Sequence, residues 1–107
     1  MNELIADIKI SVGLELIRTY KKYSMFHSTH EGYAVIKEEF DEATDELTMV
    51  KEQLDILWFH IKANSGTECN NSNAKVIFKH ALLLAAESCQ VAAMSQKFID
   101  SNLKGEY

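Results

Sequence analysis

Apolar residues between positions 36 and 61 fall in one register. Ile36, Phe40, Ala43, Leu47, Val50, Leu54, Leu57 and Ile61 recur at alternating four- and three-residue steps, which predicts a core-facing stripe on a single long helix. Ser28 and Glu31 stand three apart ahead of it, the spacing of a capping box, with Thr29 a second candidate cap. That helix is expected over about residues 29–62. Upstream, Leu4, Ile5, Ile8, Val12, Leu16, Ile17 and Tyr20 form another stripe, expected as a helix over about 3–23. Arg18, Lys21 and Lys22 gather at its C-terminal end, where cations suit the helix dipole. Residues 64–73 carry strong turn chemistry, with Gly66 as a stop for the second helix and Asn73 as a cap for a third, expected over about 74–103.

The third helix is small and apolar almost all round between Ala81 and Met94. A helix apolar on every side is expected to be buried on every side. Three helices can scarcely achieve that alone, so packing against a second copy is expected, at least as a dimer. The fold class is therefore all-α: three long helices in a bundle completed by oligomerisation. Trp58, Phe59 and His60 at the end of the second helix read as core or subunit interface, with stacking on a nucleobase the alternative for them and for Tyr33.

Composition narrows the function. The 107 residues are 47% hydrophobic and 25% charged, with no proline and four glycines, which fits one globular helical domain over 1–107. A net charge of −5 argues against a nucleic acid polymer held by its phosphates, but leaves room for a small phosphorylated ligand bridged by a divalent metal. Cys69 and Cys89 have no metal-ligand spacing and are expected as free thiols. His27 and His30 lack further zinc-type ligands nearby. The N-terminus has no signal-peptide layout, and the Ala81–Met94 run is interrupted by Glu87 and Gln90 and too short to span a bilayer. A cytoplasmic chain with no membrane partner is expected.

Two acidic features carry candidate chemistry. Glu38, Glu39, Glu42 and Glu46 run beside the apolar stripe of the second helix, and Glu39, Glu42 and Glu46 fall within a wedge of roughly 60°. Such a run is ordinarily a solvated face. Glu87, however, lies among apolar residues of the third helix, where a carboxylate must be protonated, ion-paired or metal-bound. Lys79 and Lys97 flank it and are expected to snorkel outward. Packed antiparallel, the two helices would bring four or five oxygen ligands to one point, drawn from Glu38, Glu39, Glu42 and Glu46 on the second helix and Glu87 with Gln90 on the third, a set suited to Mg²⁺ or Mn²⁺. A buried ion pair or a titrating Glu87 is the competing account.

Glu38-Glu39-x-x-Glu42, followed on a later helix by Glu87-x-x-Gln90, resembles the paired acidic motifs of the all-α nucleoside triphosphate pyrophosphohydrolases, the MazG-like superfamily. Residues 30–39 and the run Glu87-x-x-Gln90-Val91-Ala92-Ala93-Met94 are similar to small MazG-like proteins of bacteriophages and prophages. The resemblance covers about residues 26–100. It implies a helical bundle completed by dimerisation or tetramerisation, in the cytoplasm of a bacterium or a phage-infected host. It also implies Mg²⁺-dependent hydrolysis of a nucleoside triphosphate between its α and β phosphates, giving a monophosphate and pyrophosphate. By the same resemblance Glu39, Glu42 and Glu87 would bind Mg²⁺ (or Mn²⁺), with Gln90 a further ligand. Glu38 and Glu39 would be catalytic, Glu38 as a ligand or as the base orienting water. Lys21, Lys22, His30 and Lys79 are the candidates for holding the outer phosphates. Gln90 stands where the family motif has Asp; an amide oxygen ligates without adding charge. The alternative is a non-catalytic helical module on the same scaffold, binding a nucleotide or a protein.

Overall fold

The structure, a computed structural model, describes residues 1–105. The last two positions of the expected 1–107 domain lie outside the described residues. It is all-α: α1 spans Asn2–Lys22, α2 spans Thr29–Lys62 and α3 spans Thr67–Asp100, with no strand among the described residues. The chain packs as two compact units, residues 1–41 with the chain from Glu87 onward, and Glu42–Ala86.

The first unit is built on Ala93, Met94 and Phe26, against which Val12 and Leu16 of α1, Val35 and Ile36 of α2, and Phe98 and Leu103 pack. Ala93 is fully buried; its small side chain lets neighbouring elements approach closely. Gly32 serves the same end, since a Cβ there would lie 2.8 Å from Cε2 of Phe98. The connection 24–28 folds back on the end of α3, where the Phe26 amide donates to Ser101 Oγ at 3.0 Å and that hydroxyl donates to the Lys97 carbonyl at 2.7 Å. α2 begins as its capping box predicts, with the Glu31 amide donating to Ser28 Oγ at 3.1 Å. The Glu31 carboxylate reaches back to the His27 amide, not to that of Ser28. α1 buries no residue fully. Of its stripe, Val12, Leu16 and Tyr20 are half-buried, and Leu4, Ile5, Ile8 and Ile17 are exposed.

The second unit is a helical hairpin, and its turn corrects the sequence reading. Asn64, not glycine, stops α2: it sits in the left-handed region at φ 53°. Its amide donates to Ile61 O, and the Ser65 amide donates to His60 O, the two bonds of a Schellman cap. Gly66, at φ 95°, opens α3 by accepting from the Asn70 amide. α3 thus starts at Thr67, seven residues before the expected 74. Asn73 is no cap; it is buried within the helix and its amide donates to Gln53 Oε1 at 2.7 Å. Packing along the hairpin outweighs the local turn preference of the Asn- and Ser-rich run. At the other end α3 stops at Asp100, short of the expected 103, because Asn102 turns left-handed at φ 49°.

The α2 stripe splits into two columns. Ile36, Ala43, Val50 and Leu57 are buried or half-buried, whereas Phe40, Leu47, Leu54 and Ile61, also seven apart, are each about half exposed. Trp58 and Phe59 are exposed as well. On α3, Leu82, Leu83, Ala85, Ala86 and Ala92 are exposed, so the expected burial on all sides does not hold within one chain. By length and composition alone the 34-residue α3 is apolar enough to cross a membrane, a property the shorter Ala81–Met94 run lacks.

Candidate metal centre

α2 and α3 run antiparallel in a fixed register. Asn73 meets Gln53, and seven residues along each helix His80 Nδ1 meets Glu46 Oε2 at 2.6 Å. Another seven bring the register to Glu39 on α2 and Glu87 on α3. Glu42 lies one turn beyond Glu39, on the same face of α2. Carboxylate oxygens of Glu39, Glu42 and Glu87 all lie within 4.8 Å of one another, with Glu39 and Glu87 half-buried and Glu42 exposed. Oxygens on opposite sides of one Mg²⁺ are roughly 4.2 Å apart, twice the ligand distance.

Glu39 also lines a cavity of about 630 Å³ in the first unit. Glu38 and Gln90 share that lining, and Arg18, Lys22 and Lys97 supply its cations. Glu15 lines it too, and accepts a hydrogen bond from Arg18 Nη1 at 2.9 Å. The Gln90 hydrogen bond first, and Arg18 second, hold the Glu15 carboxyl below the usual carboxylate range.

The expected site residues therefore separate. Glu39, Glu42 and Glu87 converge, and Glu38, Gln90 and Lys22 line the adjoining cavity. Lys21 and His30 are exposed and outside that lining; Lys79 is exposed on the α3 segment of the second unit. Trp58, Phe59, His60 and Tyr33 do not line it either. Glu46 is the partner of His80 and takes no place in the carboxylate cluster.

Three features escaped the sequence reading. The polar pairs of α2 and α3 were legible as spacing: Glu39, Glu46 and Gln53 repeat every seven residues, as do Asn73, His80 and Glu87. Glu15 of α1 and Gln90 of α3 line one cavity, a juxtaposition that leaves no local signal. Lys97 does not snorkel outward. It is 4% exposed, and Phe26 stacks on its ammonium at 4.5 Å from the ring centre. The fold-back of residues 24–28 that buries it is a tertiary event.

Cys69 and Cys89 are free, as expected. In the second unit, a further open cavity of about 580 Å³ is lined by residues including His60, Cys69 and Asn73. Comparison with models of known families, with curated proteins and with solved structures returns no match.

Proposed function

We propose that this chain is a Mg²⁺-dependent nucleoside triphosphate pyrophosphohydrolase, cleaving between the α and β phosphates. The observation that carries the reading is the convergence of Glu39, Glu42 and Glu87 within 4.8 Å, beside a cavity lined by both carboxylates and cations. An acidic run on a helix is by itself a solvated face. Three carboxylates from two helices, two of them half-buried, form an oxygen-ligand set in which a shared cation would offset their mutual repulsion. The MazG-like motif resemblance supplies the reaction class.

Glu39, Glu42 and Glu87 would hold Mg²⁺ or Mn²⁺, with Gln90 offering a neutral oxygen. The bound ion supplies neutralisation of the triphosphate and Lewis-acid activation. Glu38, on the cavity wall, would take the proton of the attacking water. Arg18 and Lys22 offset charge on the nonbridging phosphate oxygens.

A second copy of the chain completes the fold in this reading. The column Phe40, Leu47, Leu54 and Ile61, each about half exposed, repeats every seven residues, which suits a helix–helix seam. The assembly would be a homodimer or homotetramer in the cytoplasm.

Purified protein with Mg²⁺ is expected to release pyrophosphate and a monophosphate from at least one member of a panel of canonical, deoxy and modified triphosphates. Glu39→Ala and Glu87→Ala should abolish that release. No turnover on any member contradicts the proposal. Gln90, which carries no charge at a ligand position, favours a second reading, nucleotide binding without hydrolysis. Calorimetric nucleotide binding in the absence of turnover would identify it.

A further inference from the structure

Lys97 is a cavity residue that the proposed reaction leaves without a role. It lies on α3 two turns, about 10 Å, beyond Gln90, and a helical side chain leans back toward the N-terminus of its own helix, here toward Gln90. Although only 4% exposed, Lys97 lines the cavity together with Arg18 and Lys22. Its Nζ lies 4.5 Å from the Phe26 ring centre and 5.9 Å from that of Tyr23. Among the described residues no carboxylate forms an ion pair with it.

Two ring faces attract a cation but accept none of its N–H bonds in the way an oxygen does. An ammonium withdrawn from bulk water and given only rings keeps three donors to satisfy, and the open side is the cavity. The side chain as a whole is buried, so the donors are oriented before any ligand arrives and little rotamer entropy remains to be lost. A lysine so placed is a receptor for an anion. Of the carboxylates that line the cavity, Glu39 would be neutralised by the metal, so a ligand that meets both the metal and Lys97 must carry its own negative charge.

We propose that Lys97 anchors the phosphates of the ligand that lie beyond the metal, the portion that leaves as pyrophosphate. The proposal rests on the reading of the cavity as a triphosphate site. Phe26 and Tyr23 hold the ammonium in position, and Arg18 and Lys22 complete the basic end.

The test is calorimetric titration of inorganic tripolyphosphate into the full chain, once in EDTA and once in Mg²⁺. Lys97→Met should weaken binding about tenfold or more in both conditions, the loss of one charge-assisted hydrogen-bonding group. Lys97→Arg should retain most of the affinity, whereas Glu39→Ala should weaken only the Mg²⁺ arm. Wild-type affinity in folded Lys97→Met overturns the proposal, as does wild-type protein that does not bind tripolyphosphate. A measurement on unmutated protein covers the case in which Lys97→Met does not fold. The Lys97 side-chain NMR resonances should shift on saturation with tripolyphosphate, and resonances that stay in place overturn the proposal. Turnover assays on the same samples decide the hydrolase reading separately, because anion binding in EDTA requires neither metal nor cleavage.

Discussion

Tyr20 and Asp100 join α1 to the end of α3 through one short hydrogen bond, in which the phenol donates to Asp100 Oδ2 at 2.6 Å. Burial, and then the bond to Asp100, push the Tyr20 phenol up to about 12. The Tyr20 hydrogen bond first, and that of Gln96 second, hold Asp100 below the usual aspartate range. A depressed carboxylate contributes stability that is present above its ordinary value, about 4, and is lost as pH falls through the lowered one. A raised phenol contributes stability that is present below about 10 and lost as pH rises through about 12. Tyr20→Phe removes both contributions. Its acid unfolding midpoint, followed by far-UV circular dichroism, should lie at higher pH than that of the wild type. Coincident midpoints would show that the bond contributes nothing. Neither partner stands out in the sequence: Tyr20 reads as one more member of the α1 stripe, and the contact spans 80 residues of chain.

At the scale of elements, helix periodicity was legible and helix ends were less so. The α2 stripe and the Ser28–Glu31 pair fixed Thr29–Lys62 because both signals are local. The start of α3 was misread because Asn, Ser and Gly near a turn look alike in sequence, while the Gln53–Asn73 bond that draws residues 67–73 into the helix depends on the partner helix. Asn64 carries the cap, so its replacements should separate by backbone conformation. Asn64→Ala should lose about 1 kcal/mol in urea unfolding, from forcing a Cβ-bearing residue without a compensating side chain into the left-handed region. Asn64→Gly should be nearly neutral. Equal stability of both variants would contradict the Schellman assignment. The seven-residue repeat of polar pairs has a related logic, since polar contacts within a helix seam specify register at a cost in stability.

At the scale of the molecule, the exposed apolar columns on α2 and α3 link fold to function. A large apolar face left open to water is a candidate interface. Light scattering should find the wild type at least dimeric, and Leu47→Glu with Leu54→Glu should yield a smaller species. A monomeric wild type would contradict the proposed assembly. The acidic half of the candidate site was legible in part, because Glu39 and Glu42 share a helix face and Glu87 sits in an apolar run. Its basic half was legible at Arg18 and Lys22, which gather at the end of α1, but not at Lys97, which is withdrawn from solvent by Phe26, a residue 71 positions away in the sequence. The claim on which the rest depends is that Glu39, Glu42 and Glu87 form a metal centre. A crystal soaked in Mn²⁺ and examined at the manganese absorption edge tests it most directly. The account predicts one anomalous peak within ligand distance of all three carboxylates; a map without a peak there, in crystals whose Mn²⁺ concentration suffices to occupy other sites, would contradict it.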